Sequence, residues 1–539
     1  MIRKINHIIR DTNKWSVFTL TTVFFISIPI FTIAIELFNG PGESWEHLKK
    51  TVLLDYISNS LVLLLGTSSL SLLFGVTAAW VVSRYEFLLR KQIEWLLILP
   101  LAIPSYITAY AYAGVFDYGG LWEKITYDLL PKLDVMNLKG LIWILSISLY
   151  PYVYLASRAF FLNQSGRLFE ASKLLGVGEF KTVRKLILPL ARPAIIGGLV
   201  LVMMEVLNDY GAAKYFGVST FTTGIFRAWF ALEEPETAIY LSALLVFIIF
   251  VLLGLERWQR RKVSYAVGSK TQVPLKRKIP KRKTYFWIYT FVGIPILFGF
   301  LVPLIQLIFW SFLTYETVIN DGFLGTIIQS FGISLLSAII TVLFALSLVY
   351  FTRFNRLRIL DFFTKLGTLG YAIPGAVIAI GVLIPTLGID KNLASYFSNA
   401  HNIKIGLLIN GTILALLYAY IVRFMAVAHN PIEAVSLKVN KATRESSNML
   451  GKGNIITFLK IEFPLIKTGI YSAIVLVFVD VMKELPLTLI LKPYQIQTLA
   501  VQAYEYASDE QIMEASLPAL LLIFTGILPI ILLNNLINR

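Results

Sequence analysis

The chain has 539 residues, of which 57% are hydrophobic and 15% charged. A soluble domain carries about 25% charged residues, so this chain lacks the polar surface to cover a water-facing globule of its size. The 48 Lys and Arg against 32 Asp and Glu leave a net charge of +16, and the lack of Cys excludes disulfide frameworks, thiolate zinc sites and thiol nucleophiles.

Mean hydropathy is +0.71, and the chain is best counted in membrane spans of about 20 apolar residues. The basic start, Met1 to Lys14, precedes an apolar run, 15–35, of full span length with no small-residue cleavage pattern, which predicts an uncleaved first helix. Runs free of Asp, Glu, Lys and Arg follow at 56–83, 95–116, 140–157 and 237–255, then at 284–315, 322–352, 366–389, 405–422 and 515–538. Two shorter runs, 193–204 between Arg192 and Glu205 and 468–479 between Lys467 and Asp480, sit fifth in each half and bring the count to about 12. Segments on the N-terminal side of the membrane then hold 37 Lys and Arg and the opposite loops hold 11, which predicts that both termini are cytoplasmic. The net positive charge is therefore read as topology and as affinity for anionic lipid, with no nucleic-acid partner. The four histidines (His7, His47, His401, His429) stand far apart with no HExxH spacing.

The two halves repeat each other. Asn59 to Gly75 (NSLVLLLGTSSLSLLFG) is similar to Gln329 to Ala345 (QSFGISLLSAIITVLFA), and Ile103-Pro104 aligns with Ile373-Pro374, at an offset of 270. The bounds of the fifth spans repeat at 275 and those of the 18-residue fourth runs at 265. The reading is an all-α polytopic membrane protein in two tandem six-helix halves of the same orientation, with a translocation path between them. The boundaries are 1–14 for the N-terminus, 15–256 for the first half with a core from about 56, 257–283 for a basic linker, and 284–539 for the second half with a core of about 325–536.

Before each fifth span lies a repeated loop, EASKLLGVGEFKTVRKLILP from Glu170 and ESSNMLGKGNIITFLKIEFP from Glu445. In both, a glycine (Gly176, Gly451) follows the Glu by six residues and a proline (Pro189, Pro464) by nineteen. A Glu suits the positive end of a short helix, the small residues Ala171, Ser172, Ser446 and Ser447 permit close approach, and the glycine allows a left-handed stop. Leu174, Leu175, Met449 and Leu450 supply an apolar face. No phosphate-binding GxxxxGK[ST] loop is present, because Gly451-Lys452 is followed by Gly453, so the chain is not an ATPase.

The loop resembles the EAA loop of type I ABC importer permeases. The resemblance implies that family's fold, with Glu170, Ala171, Ser172 and Gly176, and Glu445, Ser446, Ser447 and Gly451, docking into ATPase subunits. Ser446 and Ser447 stand where alanine is usual. It also implies two copies of a cytoplasmic ATP-binding subunit carrying ATP and Mg, a solute-binding protein on the outer side, no cofactor on this chain and a bacterial inner-membrane location. The phrases from Asp209 (DYGAAKYFGVSTFTTGIFRAWF), Tyr371 (YAIPGAVIAIGVL) and Lys483 (KELPLTLILKP) resemble those of the fused ferric iron permeases, which implies iron as substrate; thiamine permeases share the layout. A proton-coupled secondary transporter is the rival class, but the loop RYEFLLRKQ from Arg84 lacks the Gly-rich pattern that class uses.

Glu205, Asn208 and Asp209 share one helical face, and Asp480, Lys483 and Glu484 repeat that geometry. These acids and Lys483 are either a transit site for hard cations, which prefer oxygen ligands, or anchors at the helix ends; a metal ligand set stays open. Pro104 and Pro374 are expected to kink the third spans and shape a gate.

Overall fold

The computed structural model describes residues 14–126, 133–162, 172, 174–261, 277–354, 358–401, 406–439, 441–451 and 453–537. Among them the protein is helical without strands, apart from an isolated bridge between Tyr85 and Lys278. Ten helices are long and apolar enough to cross a membrane, and the bent pair Arg90–Ala102 and Ser105–Phe116 makes an eleventh. The last helix, Ser516–Ile537, is also apolar, which brings the architecture to the expected all-α polytopic design. Most of the basic linker, 262–276, lies outside the described residues.

Charge-free runs set the helix ends too tightly. The fourth span of the second half is Ile413–Ser436 rather than 405–422, because Arg423, which closes the apolar run, is buried inside the helix and neutralised there. The fifth spans run over Glu179–Asn208 and Phe458–Lys483, so Arg192, Glu205, Lys467 and Asp480 lie within them. Nor do Pro189 and Pro464 start those helices. A proline ring clashes with the carbonyl four residues earlier, and each is preceded by a widened π turn, Val183–Ile187 and Phe458–Glu462, that keeps the helix continuous.

Two compact units form, and they do not follow the sequence halves. One comprises Met1–Pro41, Ile319–Gln502 and Ile531–Arg539; the other comprises Gly42–Val318 and Ala503–Ile530. Each half's first span thus packs on the core of the other half. In the first unit, Tyr418 donates its hydroxyl to the Phe25 carbonyl and Gly381 lies against the Pro29 carbonyl. In the second, Tyr112 donates to the Phe298 carbonyl at 2.6 Å, and Gly114 lies under the Trp310 ring.

Within each unit the fourth span is the centre of the bundle, packed between the second and the fifth. The second spans present a stripe of small and hydroxyl residues toward it. Ser60, Thr67, Ser71 and Gly75 in one unit correspond to Ser330, Ser337, Thr341 and Ala345 in the other, all buried at the same helical spacing. Small side chains let helix backbones approach where lipid supplies no hydrophobic drive between helices. A Cβ on Gly75 would stand 2.7 Å from the Val153 Cβ.

The closest backbone approach gives a test. A Cβ on Gly370 would meet the Val422 carbonyl at 1.9 Å, whereas one on Gly388 meets nothing within 4 Å. Gly370→Ala should cost about 2 kcal/mol or more by overpacking, seen as a lowered melting temperature of the detergent-solubilised protein. Gly388→Ala, in a helix interior with open space, should leave that temperature unchanged or raise it slightly.

Candidate coupling loops and helix-break sites

Both third spans break at the same dipeptide. A 3-10 turn, Leu99–Ala102 or Leu369–Ala372, ends at an extended isoleucine (Ile103, φ −94°, ψ 118°; Ile373, φ −94°, ψ 134°), and a new helix begins after the proline. Pro104 caps Ser105–Phe116 and Pro374 precedes Gly375–His401, so they divide the spans rather than kink them. The two pieces in the first half meet at 94°. A proline offers no N–H and holds the preceding residue extended, which explains a full break at this point.

The end of each fifth span reaches this break. Asp209 stands at the C-terminus of Leu188–Asn208 and is buried; it accepts hydrogen bonds from the Ser105 hydroxyl at 2.6 Å and the Ala213 N–H at 3.0 Å. Its own carbonyl accepts the Thr222 hydroxyl at 2.6 Å. Glu484 occupies the same place after Phe463–Lys483, is equally buried, and accepts the Leu487 N–H at 3.2 Å. Its carbonyl accepts the Thr488 hydroxyl at 2.7 Å.

The charges are handled differently. Glu484 receives the Arg423 Nε at 3.0 Å, and the same guanidinium donates to the Ile373 carbonyl at 2.7 Å, so one cation serves both the acid and the broken span. No Lys or Arg among the described residues pairs with Asp209. Side-chain sizes compensate at the contact: Ser105 meets the shorter Asp209, while Gly375 faces the longer Glu484, whose Oε1 lies 2.3 Å from where a Cβ would be.

Glu205, Asp480 and Lys483 are half-buried on the same helices. The structure therefore separates the two acids that hold the breaks, Asp209 and Glu484, from the acids one turn earlier. Among the described residues no group of three or more His, Asp or Glu could hold a metal ion. Arg423 was not singled out from the sequence. It and Arg158 end the matching fourth-span runs, a signal that each is a functional position, although Arg158 pairs instead with Glu94. Ser60 and Ser330 were also missed. They accept the N–H groups of Phe221 at 3.2 Å and Leu499 at 2.8 Å, which start matching helices after the fifth spans.

Of the loop residues expected to dock a partner, Glu170 and Ala171 lie outside the described residues. Ser172 is described, and its carbonyl accepts the Val177 N–H at 2.9 Å around Gly176, whose φ is +69°. In the second copy the helix Lys441–Met449 carries Glu445 and Ser446 exposed, and Gly451 turns at φ +73°. Ser447, where alanine is usual, is buried with its hydroxyl 2.8 Å from that of Thr457, which ties the loop helix to the start of the fifth span. Leu174, Leu175, Met449 and Leu450 are each at least 79% exposed. Behind the first loop, Glu179 pairs with Arg84 at 2.7 Å and with Lys278.

Matching turns, matching exposed leucine and methionine pairs and matching breaks make the two halves copies of one design. Residues 71–265 and 361–539 both match the family described as binding-protein-dependent transport system inner membrane component. The chain belongs to this family. It is a permease of an ABC importer, a class that works with an ATPase and a solute-binding protein. Over 502 residues this permease is 27% identical to the Fe(3+)-transport system permease protein FbpB 2 of Haemophilus influenzae, covering 92% of each chain. It is 24% identical over 221 residues to the molybdenum transport system permease protein ModB of the same organism, which spans 40% of this chain and 96% of that one. With the sulfate transport system permease protein CysT of Escherichia coli it shares 21% identity over 251 residues, 45% of this chain and 89% of that one.

The Arg423–Glu484 pair yields a stability prediction. Arg423→Gln leaves a buried carboxylate without its cation and should cost the permease about 3–5 kcal/mol, whereas Arg423→Met with Glu484→Gln removes both charges and should cost less. Thermal unfolding of the two variants in the same detergent compares them directly.

Proposed function

We propose that this permease imports ferric iron, delivered by a solute-binding protein and driven by two copies of an ATP-binding subunit that dock on the loops around Gly176 and Gly451. The observation that carries the substrate reading is coverage: similarity to the permease named for Fe(3+) runs through 92% of both chains, across both fused halves. The similarities to the sulfate and molybdenum proteins extend over less than half of this chain. The chemistry at the breaks favours the same reading. Asp209 is a buried acid with no cationic partner among the described residues, an oxygen donor of the kind hard cations prefer.

The docking assignment rests on exposure. Four large apolar side chains stand in solvent at two repeat-related turns, each beside a glycine whose positive φ fixes the turn, and a pair of similar partners would cover them. Glu170, Ala171, Ser172 and Gly176 would form one contact, and Glu445, Ser446, Ser447 and Gly451 the other. The basic segments then face the cytoplasm together with both termini, ATP and Mg belong to the ATPase chains, and the solute-binding protein meets the opposite side of the inner membrane. Thiamine or an oxyanion is the alternative cargo, the latter suggested by the names of the shorter relatives.

Two experiments test these statements. Reconstituted with its ATPase and binding protein, the permease should accumulate radiolabelled ferric iron and neither sulfate, molybdate nor thiamine; accumulation of one of those solutes without iron overturns the substrate. Gly176→Pro, which cannot adopt a φ near +69°, should leave membrane insertion intact but lower ATPase co-purification and iron uptake at least about tenfold, as should Glu170→Lys at the helix start. If both variants keep co-purification and uptake, the loops do not couple.

A further inference from the structure

Several tyrosines gather around Asp209, at positions where the other half has none; the phenol near Glu484, Tyr420, is instead satisfied by the Thr488 hydroxyl at 2.7 Å. At the offset of the breaks, Tyr106 and Tyr110 correspond to Ala376 and Ile380; at the offset of the fifth spans, Tyr210 and Tyr215 correspond to Leu485 and Ile490. Both halves build the same broken span and the same capping acid, so the scaffold does not require these phenols. What differs between the copies is chemistry laid over a shared frame.

Their arrangement is compact. Tyr110 packs its ring 4.6 Å from Tyr215 and 5.8 Å from Tyr106. It is 2% exposed, its hydroxyl makes no hydrogen bond among the described residues, and it lies on the helix Ser105–Phe116, whose first residue binds Asp209. Tyr210 follows Asp209 directly, and its hydroxyl lies 3.0 Å from that of Tyr504, contributed by the segment that joins this unit from the other half of the sequence. Tyr215 in turn lies within electrostatic reach of the exposed acids Asp117 and Glu510. From half-buried Tyr215 to buried Tyr110 and Asp209, these oxygen groups run into the interior around one helix start. Tyr112 shows the contrast, since its hydroxyl is satisfied by the Phe298 carbonyl as an ordinary structural phenol.

A buried hydroxyl without a hydrogen-bond partner is costly, and together with the buried carboxylate at the start of the same helix it offers oxygen donors that a passing cation can engage. We propose that Tyr110 and Asp209, flanked by Tyr215 and the Tyr210–Tyr504 pair, form a transit site that takes hard trivalent cations, ferric iron above all, through phenol and carboxylate oxygens. Hard cations prefer such donors over nitrogen or sulfur, and phenolate is among the strongest oxygen donors a protein offers to ferric iron. A short series of weak sites, rather than one closed cage, suits a permease that must release what it binds. This site rests on the ferric reading above and supplies what that reading lacks, a set of oxygen ligands on this chain.

Tyr110→Phe is the decisive variant, because it removes only an oxygen that bonds to nothing among the described residues and should not cost stability. Titrating ferric citrate into the purified permease in lipid nanodiscs should raise a visible phenolate-to-iron charge-transfer band, with gallium competing and sulfate not. Tyr110→Phe should weaken that band and lower iron uptake about tenfold in the reconstituted importer, the scale on which losing one ligating group acts. Asp209→Asn, whose oxygen can keep the Ala213 N–H while its amide donates to the Ser105 hydroxyl, should act in the same direction, and ATPase activity stimulated by the loaded binding protein should persist in Tyr110→Phe. Wild-type iron uptake with no band, or with Tyr110→Phe transporting at the wild-type rate, overturns the site while the ferric reading stands. A wild-type importer that carries no iron overturns the ferric reading, and the transit site with it.

Discussion

A broken helix inside a membrane must find partners for the polar groups its break exposes, because hydrocarbon offers none. Here the breaks after Ile103 and Ile373 are met by the ends of the fifth spans, and the geometry around them follows from that need. Asp209 and Glu484 each bind the start of the next short helix through a backbone N–H and hold a threonine hydroxyl on their own carbonyl. The fourth span completes the support: Tyr150 donates to the Leu97 carbonyl in one unit, and Arg423 donates to the Ile373 carbonyl in the other. The fourth spans are accordingly the most buried, at 67% and 61%.

The same fifth spans run without interruption back to the repeated loops. Glu179–Asn208 has 30 residues, about 45 Å of continuous helix between the turn at Gly176 and the acid at the break. The π turns before Pro189 and Pro464 matter for this reason, since a kink at either proline would disconnect the two ends. A push on the exposed Leu174-Leu175 or Met449-Leu450 turn therefore has a stiff element along which to act. In the second copy the Ser447 hydroxyl lies 2.8 Å from that of Thr457, a hydrogen bond between loop helix and span that an alanine there would not make.

The halves are alike in frame and unlike in charge. One capping acid is neutralised by a buried arginine and is structural in the strict sense, because removing either partner strands the other. Its counterpart is shorter, bound by a serine hydroxyl and a backbone N–H, and accompanied by tyrosines at positions where its twin has none. The segment Ala503–Ile530, which joins the unit of the first half, brings Tyr504 to Tyr210 beside Asp209.

Much of this was legible in the sequence because membrane burial writes itself as long uncharged runs, and because a duplicated chain repeats its constraints at a fixed offset. The Ile-Pro pairs, the loop glycines later found at φ +69° and +73°, and the similarity of Asn59–Gly75 to Gln329–Ala345 were visible as matches between halves, although the roles of Ser60 and Ser330 in that segment were not. Helix ends were not, since a charge stops an apolar run but not a helix when a buried partner neutralises it, as Glu484 does for Arg423. Pro104, read as a kink, became a full break where a neighbouring acid could hold the freed ends, whereas Pro189 lies inside a continuous helix because a π turn absorbed the clash. Which half a first span packs against, and which of two acids on one helical face holds the break, were decided only in three dimensions. Those outcomes depend on contacts between residues as much as 393 apart, such as Tyr418 on Phe25, and no local pattern encodes them.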